Sequence, residues 1–142
     1  MRRSGWTQRV VLLPTRALLL VALACGPALP ESRVVQTIDG REFLLLSIQE
    51  VPLHDGARLL RMDFEAHAYA DRDASRREAH GLLGPLAAQL AGRKQVMVVA
   101  NGPRTDPWSE ERERFAFVFA RADGKWELLD EGDPLVEQAK LE

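Results

Sequence analysis

The stretch Leu60–Tyr69 alternates strictly, and this constrains the fold more than any other feature of the chain. Leu60, Met62, Phe64, Ala66 and Ala68 fall on one side of an extended backbone. Arg61, Asp63, Glu65, His67 and Tyr69 fall on the other. Period two over such a length describes a strand with one face on a core and one in water. The period then changes. Between Asp71 and Arg93, the residues Ala79, Leu82, Leu83, Leu86 and Leu90 form the apolar stripe of an amphipathic helix. Asp71 or Asp73 suits its N-terminal end, and Arg93 and Lys94 its C-terminal end. Gly81, Gly84 and Pro85 interrupt the middle, leaving one kinked helix or two short ones, and Gly92 supplies a stop.

Strands are predicted on both sides of this helix. Val34–Ile38 and Phe43–Val51 are joined by Asp39-Gly40, and His54-Asp55-Gly56 leads into the alternating stretch. Gln95–Asn101, Arg114–Arg121 and Lys125–Leu129 follow the helix, the last two joined by Ala122-Asp123-Gly124. Pro134–Leu141 adds a terminal helical turn or two. The expected fold is α+β: a largely antiparallel sheet of about six strands, in order βββ-α-βββ, with one main helix packed on one face. The connection through the helix allows two strands to run parallel. Phe115, Phe117 and Phe119 share the face a helix of Ala and Leu would cover. Phe43–Leu46 and Val96–Val99 are apolar on both faces, which one helix does not explain. The second face is therefore expected to close on itself or to meet a partner, as a homodimer interface or a shallow binding groove.

Charge divides the chain unevenly. Residues 1–24 hold four arginines and no acid, so a chain of net charge −2 leaves −6 on residues 25–142. The basic stretch precedes the uncharged run Ala17–Ala24 and then Cys25-Gly26-Pro27, the layout of a secretory signal. As a helix that run spans only ~12 Å, well short of the ~20 residues a bilayer core requires. Val21-Ala22-Leu23-Ala24-Cys25 resembles the lipobox of bacterial lipoproteins, with Ala22 where Leu is commonest. The resemblance covers the leader alone. It implies lipid on Cys25 as the first mature residue, and Gly26 after it implies outer-membrane sorting, with the domain facing the periplasm. Cys25 is the sole cysteine, so no internal disulfide forms, and thioether-linked lipid would remove a free thiol from an oxidising compartment. Ordinary cleavage after Ala22-Leu23-Ala24, giving a soluble periplasmic or secreted protein, is the alternative. The boundaries are then a signal peptide at 1–24, a Pro-containing tether at 25–32 and one α+β domain at 33–142.

Few patterns in the domain carry chemistry. Its acidic balance argues against nucleic-acid binding, which needs clustered Lys and Arg. Asp63, Glu65 and His67 lie at spacings of two along one strand face, about 6–7 Å apart, where they could act as an acid–base pair or hold a divalent ion. A solvated face carrying ion pairs with Arg61 explains the same pattern. His54, His67 and His80 form no metal-site spacing, and no G-x-S-x-G or phosphate-loop motif is present. No metal or cofactor is expected. The loop Asn101–Glu113 is the most irregular segment, and its Trp108 and Arg104 are the candidate partner-binding residues. The expected function is a lipid-anchored envelope accessory or assembly module. A small hydrolase or metal-dependent enzyme using Asp63, Glu65 and His67 is one alternative. The other is a periplasmic small-ligand carrier with a pocket lined by the three phenylalanines.

Overall fold

Three Asp-Gly turns set the connectivity of the sheet. The structure, a computed structural model, describes residues 32–109 and 111–139. Asp39-Gly40 joins β1 (Arg33–Gln36) to β2 (Glu42–Pro52), and Asp55-Gly56 joins β2 to β3 (Arg58–Glu65). Asp123-Gly124 joins β5 (Arg114–Ala122) to β6 (Lys125–Leu128). There Asp123 and Gly124 both take positive φ, 48° and 76°, as a two-residue hairpin turn matched to strand twist requires. The remaining elements are α1 (Arg72–Leu82), β4 (Gln95–Asn101) and α2 (Pro134–Ala139).

The sheet is six-stranded in the order β1-β2-β3-β4-β5-β6. Every neighbouring pair is antiparallel except β3 and β4, which run parallel because α1 carries the chain back between them. The fold is α+β, as the patterning indicates. The simple order βββ-α-βββ is incomplete, since α2 follows β6 and takes part in the packing.

The main helix is shorter than its sequence stripe. Asp71 caps it, accepting a hydrogen bond from the Ala74 amide at 3.0 Å, but regular helix ends at Leu82. Pro85 has no amide hydrogen to continue the ladder and disfavours helical geometry at Gly84. Beyond Leu82 the chain proceeds through successive turns, in which Leu86 N donates to Leu82 O and Leu90 N to Leu86 O. Leu86 and Leu90 stay buried. The apolar spacing thus outlasts the helix that usually accompanies it.

The core has two halves. Phe43, Leu45, Met62, Phe64, Val96, Val98, Phe117 and Phe119 pack beneath α1 and the turns after it, against Ala79, Leu82, Leu83, Leu86 and Leu90. On the opposite face Leu59, Met97, Val99 and Val118 pack against Val136 and Ala139 of α2. Val96–Val99 is therefore apolar on both faces because β4 is covered on both. The short C-terminal helix supplies cover that the sequence reading assigned to sheet closure or to a partner.

Phe43–Leu46 has a different explanation. Leu45 pairs with Phe64 and Ser47 with Asp63, so Leu46 is one extra residue in β2, a bulge that reverses the alternation. Phe43 and Leu45 face α1 before it, and Ile48, opposite Met62, does so after it. Leu44 is left exposed.

Candidate functional site

The parallel pairing of β3 and β4 brings their C-terminal ends to one edge of the sheet, and two connections leave from it. One is the turn 66–71 leading into α1, and the other is the loop 102–113 leading into β5. α1 itself holds the turn. Glu78, buried on the helix, accepts hydrogen bonds from the amides of His67 at 3.0 Å and Ala68 at 3.4 Å. Ser75, fully buried one turn earlier, donates to Ala68 O at 2.8 Å. These bonds satisfy backbone groups that would otherwise be stranded where β3 stops. They also end the strand at Glu65, four residues before the sequence alternation does.

The clamped turn presents Tyr69, which is half-exposed and packs across Gly102. A Cβ on Gly102 would lie 3.2 Å from Tyr69 Cδ2 and 3.5 Å from Glu113 O, closer to the ring than side chains ordinarily approach. Gly102 N donates to Glu113 O at 2.8 Å, closing the loop at its base. The result is an open depression of about 900 Å³ walled by Tyr69, Pro103, Thr105 and the segment Glu111–Arg114. Trp108 stands on the same loop with 95% of its surface exposed. Its amide donates to Asp106 Oδ1 at 2.9 Å, so a local turn orders the backbone while the indole remains in solvent. Arg104 is also exposed on this loop.

Glu78→Ala is expected to leave two turn amides without acceptors, costing about 2 kcal/mol and loosening the seat of Tyr69. Urea denaturation and amide exchange at His67 and Ala68 measure both effects. Unchanged protection at those amides would mean the clamp does not hold the turn.

Asp63 belongs to a different environment from the one its alternating pattern predicts. It is 8% exposed, and Arg61 grips it with both forks: Nε to Oδ2 at 2.7 Å and Nη2 to Oδ1 at 3.0 Å. Asn101, 3% exposed, donates to Oδ1 at 3.3 Å and to the carbonyls of Phe64 and Val99. Ser47 Oγ lies 3.4 Å from Oδ2. The hydrogen bond to Asp63 raises the Arg61 guanidinium above its ordinary value, against the opposing effect of burial. A carboxylate with four side-chain contacts has most of its lone pairs occupied, an arrangement suited to fixing neighbouring strands.

The sequence triad does not converge. Asp63 sits on the face that α2 partly covers, and Glu65 ends β3 half-buried. His67 lies past the strand, stacked on Phe43 at 4.5 Å, and Phe43 belongs to the α1-side core. Among the described residues no group of three acids, histidines or cysteines is placed to hold a metal ion. Phe117 and Phe119 are buried within the core beneath α1, and Phe115 packs against its edge. The leader, Cys25 and the tether up to residue 31 lie outside the described residues.

Glu78, Ser75 and Tyr69 were not singled out by the sequence reading. A signal for the first two exists: Ser75, Glu78, Ala79 and Leu82 lie at spacings that place them on one helical stripe. A carboxylate on an apolar stripe needs a partner indoors. Tyr69 had no such signal, because its position depends on the turn.

Fold and site together define an α+β domain with a clamped aromatic turn and an exposed-Trp loop on one sheet edge. No protein-family model matches the chain, and no curated protein or solved structure matches it.

Proposed function

We propose that this protein is an exported accessory module of the bacterial envelope, lipid-anchored through Cys25 on the periplasmic side of the outer membrane. It binds another envelope protein through the Tyr69 turn and the loop 102–113, and performs no chemistry there. The observation that carries this reading is the exposure of Trp108 on the loop that walls an open depression. A tryptophan left in water forgoes the burial its large apolar surface favours, and such residues are enriched where partners dock. The saturation of Asp63 by Arg61, Asn101 and Ser47 supports a structural role for the carboxylate most suited by position to catalysis. The leader pattern supports export and lipidation.

In crosslinking pulldowns from an envelope fraction, Trp108→Ala is expected to reduce recovery of the partner about tenfold, the weight of a central aromatic anchor. Its urea midpoint should stay at that of the parent, since the side chain is almost wholly exposed. Equal recovery with and without Trp108 would sink the loop as the binding site. Metabolic labelling with an alkyne fatty acid tests the anchor separately: the parent should take the label and Cys25→Ser should not.

A further inference from the structure

A second concave site lies at the opposite margin of the helix, where α1 overhangs the edge strand β6. Its volume is about 390 Å³. From α1 it is lined by Arg76, Arg77 and His80, and from the sheet by Phe119, Trp126 and Leu128. The register explains the composition. Phe119 pairs with Leu128 and Arg121 with Trp126, so these side chains share the face under α1, while Glu127 turns to the other face. No Asp or Glu lines the groove among the described residues.

The helix charges are arranged in a way that folding alone does not favour. Arg72 and Arg76 stand one turn apart along the margin facing β5 and β6, with Arg77 beside them and His80 one turn further on. Cations one turn apart on a helix repel. Arg72 is relieved by Glu131 at 2.7 Å and lies over the Phe117 ring at 5.3 Å. Arg76 reaches Asp73 at 3.7 Å, its one ion pair among the described residues, at the border with an adjoining hollow that Asp130 and Glu131 also line. Glu78, the acid nearest in sequence to Arg77, is turned inward onto the backbone of the 66–71 turn and is unavailable to it.

The apolar side of the groove is equally organised. Trp126 is half-buried, and Arg121 stacks on its ring at 4.6 Å. The Trp126 carbonyl accepts from His80 Nε2 at 3.1 Å, which ties the strand to the helix across the groove floor. Leu128 remains 40% exposed at the mouth. Two guanidinium groups above an indole and a leucine match a ligand with a charged oxygen-rich end and an apolar body.

We propose that this groove binds an oxyanion headgroup carried on an apolar or ring-bearing body. Arg76 and Arg77 hold the headgroup, and Trp126, Leu128 and Phe119 receive the body. The site is distinct from the Tyr69 depression and does not depend on the loop reading.

The test uses the full chain carrying Cys25→Ser, so that lipid at that residue contributes nothing. Two probes separate the sources of such a headgroup. One is phenyl phosphate in solution, followed by calorimetry. The other is phosphatidylcholine vesicles with and without phosphatidylglycerol, followed by co-sedimentation. Removing both arginines, Arg76→Gln with Arg77→Gln, is expected to weaken binding at least about tenfold. Arg58→Gln, on an exposed arginine elsewhere, should change it less than about twofold. Leu128→Ser should weaken phenyl phosphate while leaving inorganic phosphate unaffected.

Arginine-dependent binding of phenyl phosphate assigns a soluble ligand, and arginine-dependent binding only of the phosphatidylglycerol vesicles assigns a lipid headgroup. If neither probe responds to the double substitution, or if Arg58→Gln weakens both equally, the groove is not an anion site and the proposal falls. Circular dichroism of each variant confirms that the comparison is between folded proteins.

Discussion

Asp63→Ala is expected to destabilise the fold by about 3 kcal/mol, because it strands a largely buried guanidinium that the carboxylate now satisfies. Arg61 has 16% of its side chain exposed, so it does not recover full hydration when the carboxylate goes, whereas Asn101 keeps the carbonyls of Phe64 and Val99 as acceptors. The double variant Arg61→Met, Asp63→Leu should regain most of the loss, since an apolar pair needs no partners. A double-mutant cycle by urea denaturation measures the coupling. Asp63→Asn refines the point: it keeps one acceptor oxygen for Arg61 and should cost less than Asp63→Ala. Were Asp63→Ala neutral, the pair would be solvated, and the hydrolase reading built on Asp63 would regain ground.

Phe64→Ala is expected to be at least as damaging, at about 4 kcal/mol. Phe64 has no exposed surface, lies on β3 at the centre of the sheet, and meets the Phe43 ring edge-on at 5.7 Å. Truncation removes its contacts and leaves a cavity in the core on the α1 side of the sheet. For a domain of this size the loss approaches the total stability, and the urea midpoint should fall by about 2 M. A fall of less than half that amount would mean that the surrounding core collapses into the space.

The contrast between these two residues shows where sequence reading succeeds. Phe64 was placed correctly by alternation alone, because apolar burial depends on which side of the strand a residue occupies. Asp63 has the same alternation but is misread by it. The rule assigns polar positions to water, whereas this position is covered by neighbours from β2, β4 and the α2 side of the sheet. The polar members of that face satisfy one another instead. Asn101, thirty-eight residues from Asp63, has nothing in its local context to announce the contact.

The candidate site was legible in part. Composition marked the loop 101–113 and its tryptophan as irregular, since Pro, Gly and a lone aromatic among charges break every periodicity. The depression beside it depends on Tyr69, and Tyr69 depends on Glu78 and Ser75 holding a turn that the alternation would have continued as strand. The groove at β6 needed the register of β5 with β6 before the helix cations and Trp126 could be placed together.

What the sequence determined by itself is local. The three Asp-Gly turns follow from the conformations those residues tolerate, the strands from period two, and the cap of α1 from Asp71. The parallel pairing of β3 with β4, the bulge at Leu46, the covering of the second face by α2 and the inward turn of Arg61 and Asp63 were decided by the tertiary structure. Each depends on which surfaces meet, and the free energy of burying a surface belongs to both sides of the contact. A single stretch of chain carries only one of them.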